Sequence, residues 1–372
     1  MNTVLPERIT QARELAGLTR TELAERLEKT VAAVSQWESG SKNPTPENLL
    51  SISKVLDVPM PLFLLPIPIE LSRRGPVTFR ARSAAKTAIL QRQAQRLAEV
   101  VSELYIWLEK WIAFPSPNLP EIAGNDPEEA ARQCRRAWGL GDLPILKLGE
   151  LLESKGIRLC AASFGETRFD AYSCIFSGRP FAFLGTVKQD RARSRFDAAH
   201  ELGHLLCHQH YSDDELTTKN REIEKEADAF GGAFLLPADS FSKDVSDTSL
   251  DGFKRLKPKW GVSIQAMIFR ARELELITQE TYERHFRNIS AYGWRRARSE
   301  PFDETVPLVN RSLGKKSLEL LSASKFKPWE IAAELPLPDK VFQSVFDDDL
   351  RSALPDELDN VVSIASFLKS AG

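Results

Sequence analysis

Four of the five histidines of this 372-residue chain, His200, His204, His208 and His210, fall within the single stretch RFDAAHELGHLLCHQH. Within it, Phe196, Ala199, Leu202 and Leu206 recur at helical spacing and bury one side of a helix. His200 and His204, four residues apart, then project from a common face. A helix that carries a paired polar face and an apolar side must lie between a core and whatever those histidines serve. The rest of the chain has to supply both.

Two imidazoles at this spacing, with Glu201 one step round the helix, form the HExxH arrangement in which zinc is held and a glutamate accepts a proton from water. By composition alone such a pattern arises in about one chain of this length in a hundred, so it needs support from elsewhere. The next helical segment, REIEKEADAFGGAFLLP, offers acidic residues at a distance that allows a turn and an antiparallel return. His210 is a competing third ligand, because it lies ten residues after His200 as in HExxHxxGxxH enzymes. Those enzymes have glycine where this chain has Cys207, and a His210 ligand would leave the acidic helix without a role. His208 and His210 are then expected to be helix-end or surface residues.

The block from Phe196 to Pro237 resembles the ImmA/IrrE metallopeptidase family, whose pattern runs from HELGHLL to an E-x-E-A-(N/D)-x-F segment ending in LLxP. The resemblance implies a zincin-like fold, Glu224 as third zinc ligand, Asp228 orienting a ligating histidine from outside, and Glu226 as a neighbour rather than a ligand. Glu201 is then the catalytic base. Tyr172 and His210 are candidates for stabilising the oxyanion. The stretches FDAYSCIFSGRPFAFLGT, LKPKWGVSIQAMIFRARELELIT and AYGWRRARSEP extend the likeness to both sides. Members of this family cleave repressors or antitoxins under regulation, which implies a protein substrate of that kind or self-cleavage, in a stress, phage-defence or toxin–antitoxin setting.

From Leu5 to Phe63 apolar residues recur at helical spacing in short segments, predicting a bundle of five small helices. Thr19 and Glu22 form a capping box for the second, and Gly40 is placed to end the third. Through ARELAGLTRTELAERL, VSQWESG and PTPENLLSISKVLDV this region resembles the XRE (Cro/C1-type) helix-turn-helix family. The resemblance implies that a homodimer binds double-stranded operator DNA with the third helix in the major groove. That turns Thr30, Ala32, Ala33, Ser35 and Gln36 toward the bases. Arg20 stands where the family often has glutamine, and suits phosphate or guanine.

The net charge of −2 gives no global attraction to nucleic acid, so DNA binding must rest on a local surface. One such stretch holds Arg73, Arg74, Arg80, Arg82, Lys86, Arg92 and Arg96, with no acidic residue from the first to the last. Cys134, Cys160, Cys174 and Cys207 are scattered without a CxxC pair, which points to buried free thiols. The N-terminus is charged too early for a secretory signal, and no apolar run spans a bilayer. A cytoplasmic protein with no membrane role is expected.

The expected fold is α+β and mostly helical. The helix-turn-helix domain occupies 1–66, a linker and long helix 67–124, the peptidase domain with its small sheet 125–245, a helical extension 246–300, and a helical region of unlegible role 301–372. A non-proteolytic zinc-binding transcription factor or antitoxin is the alternative function, with the same motifs serving a structural or sensing site.

Overall fold

The computed structural model describes residues 3–69, 87–164, 171–185, 190–211, 215, 218–295, 300–324, 331 and 334–346. The chain forms two compact units. One holds the described residues before 115 and after 312; the other holds 115–312.

The first unit begins with α1 (Pro6–Leu15), α2 (Arg20–Arg26), α3 (Val31–Glu38) and α4 (Pro46–Leu56). Their starts are written locally. Thr19 accepts the Glu22 N–H while the Glu22 carboxylate accepts the Thr19 N–H at 2.7 Å, and Thr30 and Thr45 cap α3 and α4 in the same way from one side. Gly40 follows the C-cap of α3 with φ +71°, the left-handed conformation that glycine adopts without steric cost. Ile9, Leu23, Val34, Ile52 and Phe63 are the buried centre of the bundle. The fifth helix is a short 3-10 segment, Met60–Leu64, preceded by Pro59 and carrying Pro61 in its first turn.

A long helix, α5 (Thr87–Leu108), packs on α1. Leu97, Val101, Leu104 and Leu108 of this helix are buried, and Trp111, beyond its end, is exposed. Polar groups also join the two helices. The buried guanidinium of Arg8 donates to both oxygens of the buried Glu103, at 2.7 and 2.8 Å, and to the carbonyls of Leu65 and Pro66. Each charge therefore has a bidentate partner and neither is left to a dry interior.

The second unit carries α6 (Pro127–Ala137), α7 (Leu148–Ser154), the strands β1 (Arg158–Ala162), β2 (Ala171–Phe176) and β3 (Arg179–Gly185), then α8 (Arg191–Cys207) and α9 (Asn220–Leu235). It continues with α10 (Ala238–Asp244), α11 (Leu250–Trp260), α12 (Ile264–Glu273) and α13 (Gln279–Ala291). The sheet order is β1-β3-β2, with β1 parallel and β2 antiparallel to β3. Ser177 and Gly178, both at positive φ, make the two-residue hairpin between β2 and β3.

Helix α8 packs on β2 and β3 and against α9. Ala198, Ala199, Leu202, Leu205 and Leu206 are buried, and Phe196 is half-buried against the same core. The approach of α9 depends on small residues: a Cβ at Gly203 would meet the Phe230 ring at 3.0 Å, and one at Gly231 would meet the His200 backbone N at 3.3 Å. The buried Arg195 donates to the carbonyls of Gly261, Ile145 and Leu146, fixing the start of α8 to the surrounding loops. The first unit also takes in α14 (Ser312–Ala323) and α15 (Asp339–Phe346), of which α15 packs on α5.

Candidate metal centre and nucleic-acid interface

Because α8 is regular through its length, His200 and His204 stack one turn apart with their Nε2 atoms 3.1 Å from each other. From α9, Glu224 brings Oε2 to 3.7 Å from His200 Nε2. All three ligand atoms lie within 4.8 Å of one another. A tetrahedral ion with bonds of 2.0–2.1 Å separates adjacent ligand atoms by about 3.3 Å, so these side chains fit a zinc-sized ion with small adjustments. The donor set, two imidazole nitrogens and a carboxylate oxygen, suits such an ion as well.

Outside this group, His200 Nδ1 is 2.8 Å from Asp228 Oδ1, a contact that sets the ring orientation and leaves Nε2 facing Glu224. His204 Nδ1 is 2.5 Å from His208 Nδ1, and His208 Nε2 is 3.0 Å from Glu226 Oε2. His208 is the helix-end residue expected, but it does not lie at the surface. It caps the C-terminus of α8 but is only 1% exposed, because a second step of four residues, from His204, places it on the same inward-facing stripe. His210 is exposed, one turn beyond the helix end.

Glu201 is buried at 2% exposure on the turn between the two histidines, and Ser173 of β2 donates to its carbonyl at 3.3 Å. Tyr172 is wholly buried and stacked on Phe183, with ring centroids 4.4 Å apart. Burial, with smaller contributions from Cys174, Cys160 and Glu201, holds its phenol well above the ordinary range, so it stays protonated. Cys134, Cys160 and Cys174 are buried and Cys207 partly so. Burial raises Cys134 and Cys207 to about 12, which leaves them as thiols rather than nucleophiles.

In the first unit, Thr30 and Ala32 on α3 are exposed, and Ala33, Ser35 and Gln36 are half-exposed, while Val34 and Trp37 face the core. The Thr30 hydroxyl accepts the Ala33 N–H at 3.2 Å. Arg20 is not a free cation: its Nε donates to Glu38 Oε2 at 2.6 Å, and that hydrogen bond is the chief reason its pKa is raised. Its side chain is nevertheless 52% exposed. Of the basic stretch beyond the bundle, Arg73, Arg74, Arg80, Arg82 and Lys86 lie outside the described residues. Arg92 is exposed on α5, but Arg96 is engaged by Glu14 at 2.8 Å and Glu99 at 2.6 Å and is not available to phosphates.

These features define a chain with a helix-turn-helix bundle and, separately, an α+β domain built round a metal-ligand cluster. Residues 9–63 match the family model for a helix-turn-helix domain, and residues 152–272 match that for the IrrE N-terminal-like domain, a metallopeptidase family. The chain thus joins a segment like an XRE-type helix-turn-helix domain, over 9–63, to a segment like the IrrE metallopeptidase domain, over 152–272. A comparison with curated proteins gives no match. Among the described residues no helix is long and apolar enough to cross a membrane.

Proposed function

We propose that this chain is a cytoplasmic DNA-binding regulator whose second unit is a zinc-dependent endopeptidase, acting on a repressor- or antitoxin-type partner or on itself. The observation that carries this reading is the cluster of His200, His204 and Glu224, with ligand atoms at 3.1 and 3.7 Å and Glu201 on the same helical turn. When bound, the ion supplies Lewis acidity, acidifying water and polarising a carbonyl at its open position. Glu201 takes the proton of the attacking water and passes it to the departing amine. Its burial keeps bulk water from competing for that proton.

A substrate segment enters as an extended strand along β2, an edge strand of the described sheet that runs beside the Glu201 turn. In the first unit, α3 lies in the major groove of a palindromic operator bound by a homodimer. Gln36 and Ser35 read base edges, Ala32 and Ala33 allow close approach, Thr30 sits at the helix start nearest the backbone, and Arg20 contacts phosphate or guanine.

Metal content tests the centre. Elemental analysis of the purified full-length protein is expected to give about one zinc per chain, strongly reduced in His204→Ala and in Glu224→Ala. Full zinc content in Glu224→Ala, with loss in His210→Ala instead, would show that the third ligand is His210.

A further inference from the structure

We propose that His208 and Glu226 form a positioning relay for His204, parallel to the one that Asp228 provides for His200; this rests on the reading that His204 binds the metal through Nε2. Helix α8 presents His200, His204 and His208 at successive steps of four residues. The Nε2 atoms of the first two face each other at 3.1 Å, so His204 Nδ1 points away from the cluster, to His208 Nδ1 at 2.5 Å. The His204 and His208 rings are 4.7 Å apart between centroids. From the far side of His208, Nε2 reaches Glu226 Oε2 at 3.0 Å.

With neutral imidazoles, one arrangement of protons satisfies the contacts along this line. A ligating nitrogen carries no proton, so His204 holds its proton on Nδ1 and donates it to His208. His208 Nδ1 must then be an acceptor, which puts its own proton on Nε2. That N–H donates to Glu226, a carboxylate with acceptor capacity only. His208 is 1% exposed, so replacement of the carboxylate by solvent is hindered, and the contacts to His204 and Glu226 help to orient the buried ring. The carboxylate charge, carried through two polarised hydrogen bonds, makes His204 Nε2 a better donor and holds its ring in the plane the ion requires. Glu226 thus acts at a distance from the ion, without being a ligand.

The test uses the full-length protein and zinc alone. Glu226 is partly exposed, at 36% of its side chain, so its replacement leaves the core in place. In competition with a chromophoric chelator, Glu226→Ala is expected to bind one zinc with a Kd raised about 10- to 100-fold, while Glu226→Gln, whose neutral amide oxygen still accepts, recovers the part due to ring orientation and not the part due to charge. Long-range proton–nitrogen NMR of the zinc-loaded wild type is expected to show His204 protonated at Nδ1 and His208 at Nε2. Wild-type affinity in Glu226→Ala, or a His208 proton on Nδ1, overturns the relay while leaving the metal centre standing. A wild type that binds no zinc overturns the metal-centre reading and the relay with it.

Discussion

Glu38 holds two guanidinium groups, with Arg13 Nε at 2.5 Å and Arg20 Nε at 2.6 Å from its two oxygens. Glu38 and Arg13 are buried, and Arg20 is half-exposed. Removing the carboxylate leaves Arg13 with the Leu18 carbonyl and a longer contact to Glu14 at 3.6 Å. Breaking a buried pair from one side costs about 3 kcal/mol or more, whereas an exposed pair is worth less than about 1. Chemical denaturation is therefore expected to show a large loss for Glu38→Ala and a small one for Arg20→Ala; equal, small losses would mean that the cluster is not a stability element. Arg20→Ala is separately expected to weaken operator binding in general, and Gln36→Ala to relax sequence preference.

The same residues show what could be read without coordinates. The ligand candidates on α8 follow from spacing alone, since four residues on a helix bring two side chains to one face. Glu38 as a shared anchor could not be foreseen, because its partners come from α1 and α2 and no local periodicity links them. His208 could have been placed by the same step of four residues that joins His200 to His204. Glu226 could not, since it sits about 200° round its helix from Glu224 and its reach to His208 depends on how α8 and α9 approach.

At the scale of elements, that approach is set by glycines that helix propensity disfavours. Gly203 and Gly232 both lie inside helices, where Gly→Ala ordinarily gains about 1 kcal/mol. At Gly232 a Cβ meets nothing within 4 Å, whereas at Gly203 it falls 3.0 Å from the Phe230 ring, itself wholly buried. Overpacking of this kind costs about 1–3 kcal/mol and outweighs the propensity gain. Thermal unfolding is expected to rise for Gly232→Ala and to fall for Gly203→Ala, with zinc affinity lowered in the second alone. If both variants were stabilised, close α8–α9 packing would not be the constraint on the site.

Local signals also explain which elements the sequence reveals. The capping box at Thr19 and the Ser-Gly hairpin are short-range chemistry and appear in the chain as they do in the fold. The parallel pairing of β1 with β3 joins residues more than twenty positions apart, and no turn signal encodes it. Likewise the docking of α5 on α1 includes the Arg8–Glu103 pair, separated by 95 residues, which no local pattern encodes.

For the molecule as a whole, a net charge of −2 means that DNA affinity has to come from the α3 face and its surroundings. Operator binding by the full-length protein is therefore expected to weaken steeply as salt is raised, as it does when a few phosphates are neutralised locally. Binding that is insensitive to salt would point to a protein-contact role for the bundle. The helix-turn-helix and the metal cluster belong to different units, so chemistry at one can be removed while the other is kept.

Glu201→Gln makes that separation and bears directly on the central claim. The substitution keeps size and helix position but removes the carboxylate proposed as the base, so zinc content, folding and operator binding are expected to survive. Cleavage of the repressor- or antitoxin-type partner, or of the chain itself, followed by gel over time with zinc-loaded protein, is expected to slow by a factor of about 100 to 10,000. A Glu201→Gln variant that cleaves at the wild-type rate would contradict the account. So would a wild type that turns over no protein or peptide while removal of zinc changes its affinity for DNA, the behaviour of a metal-sensing regulator.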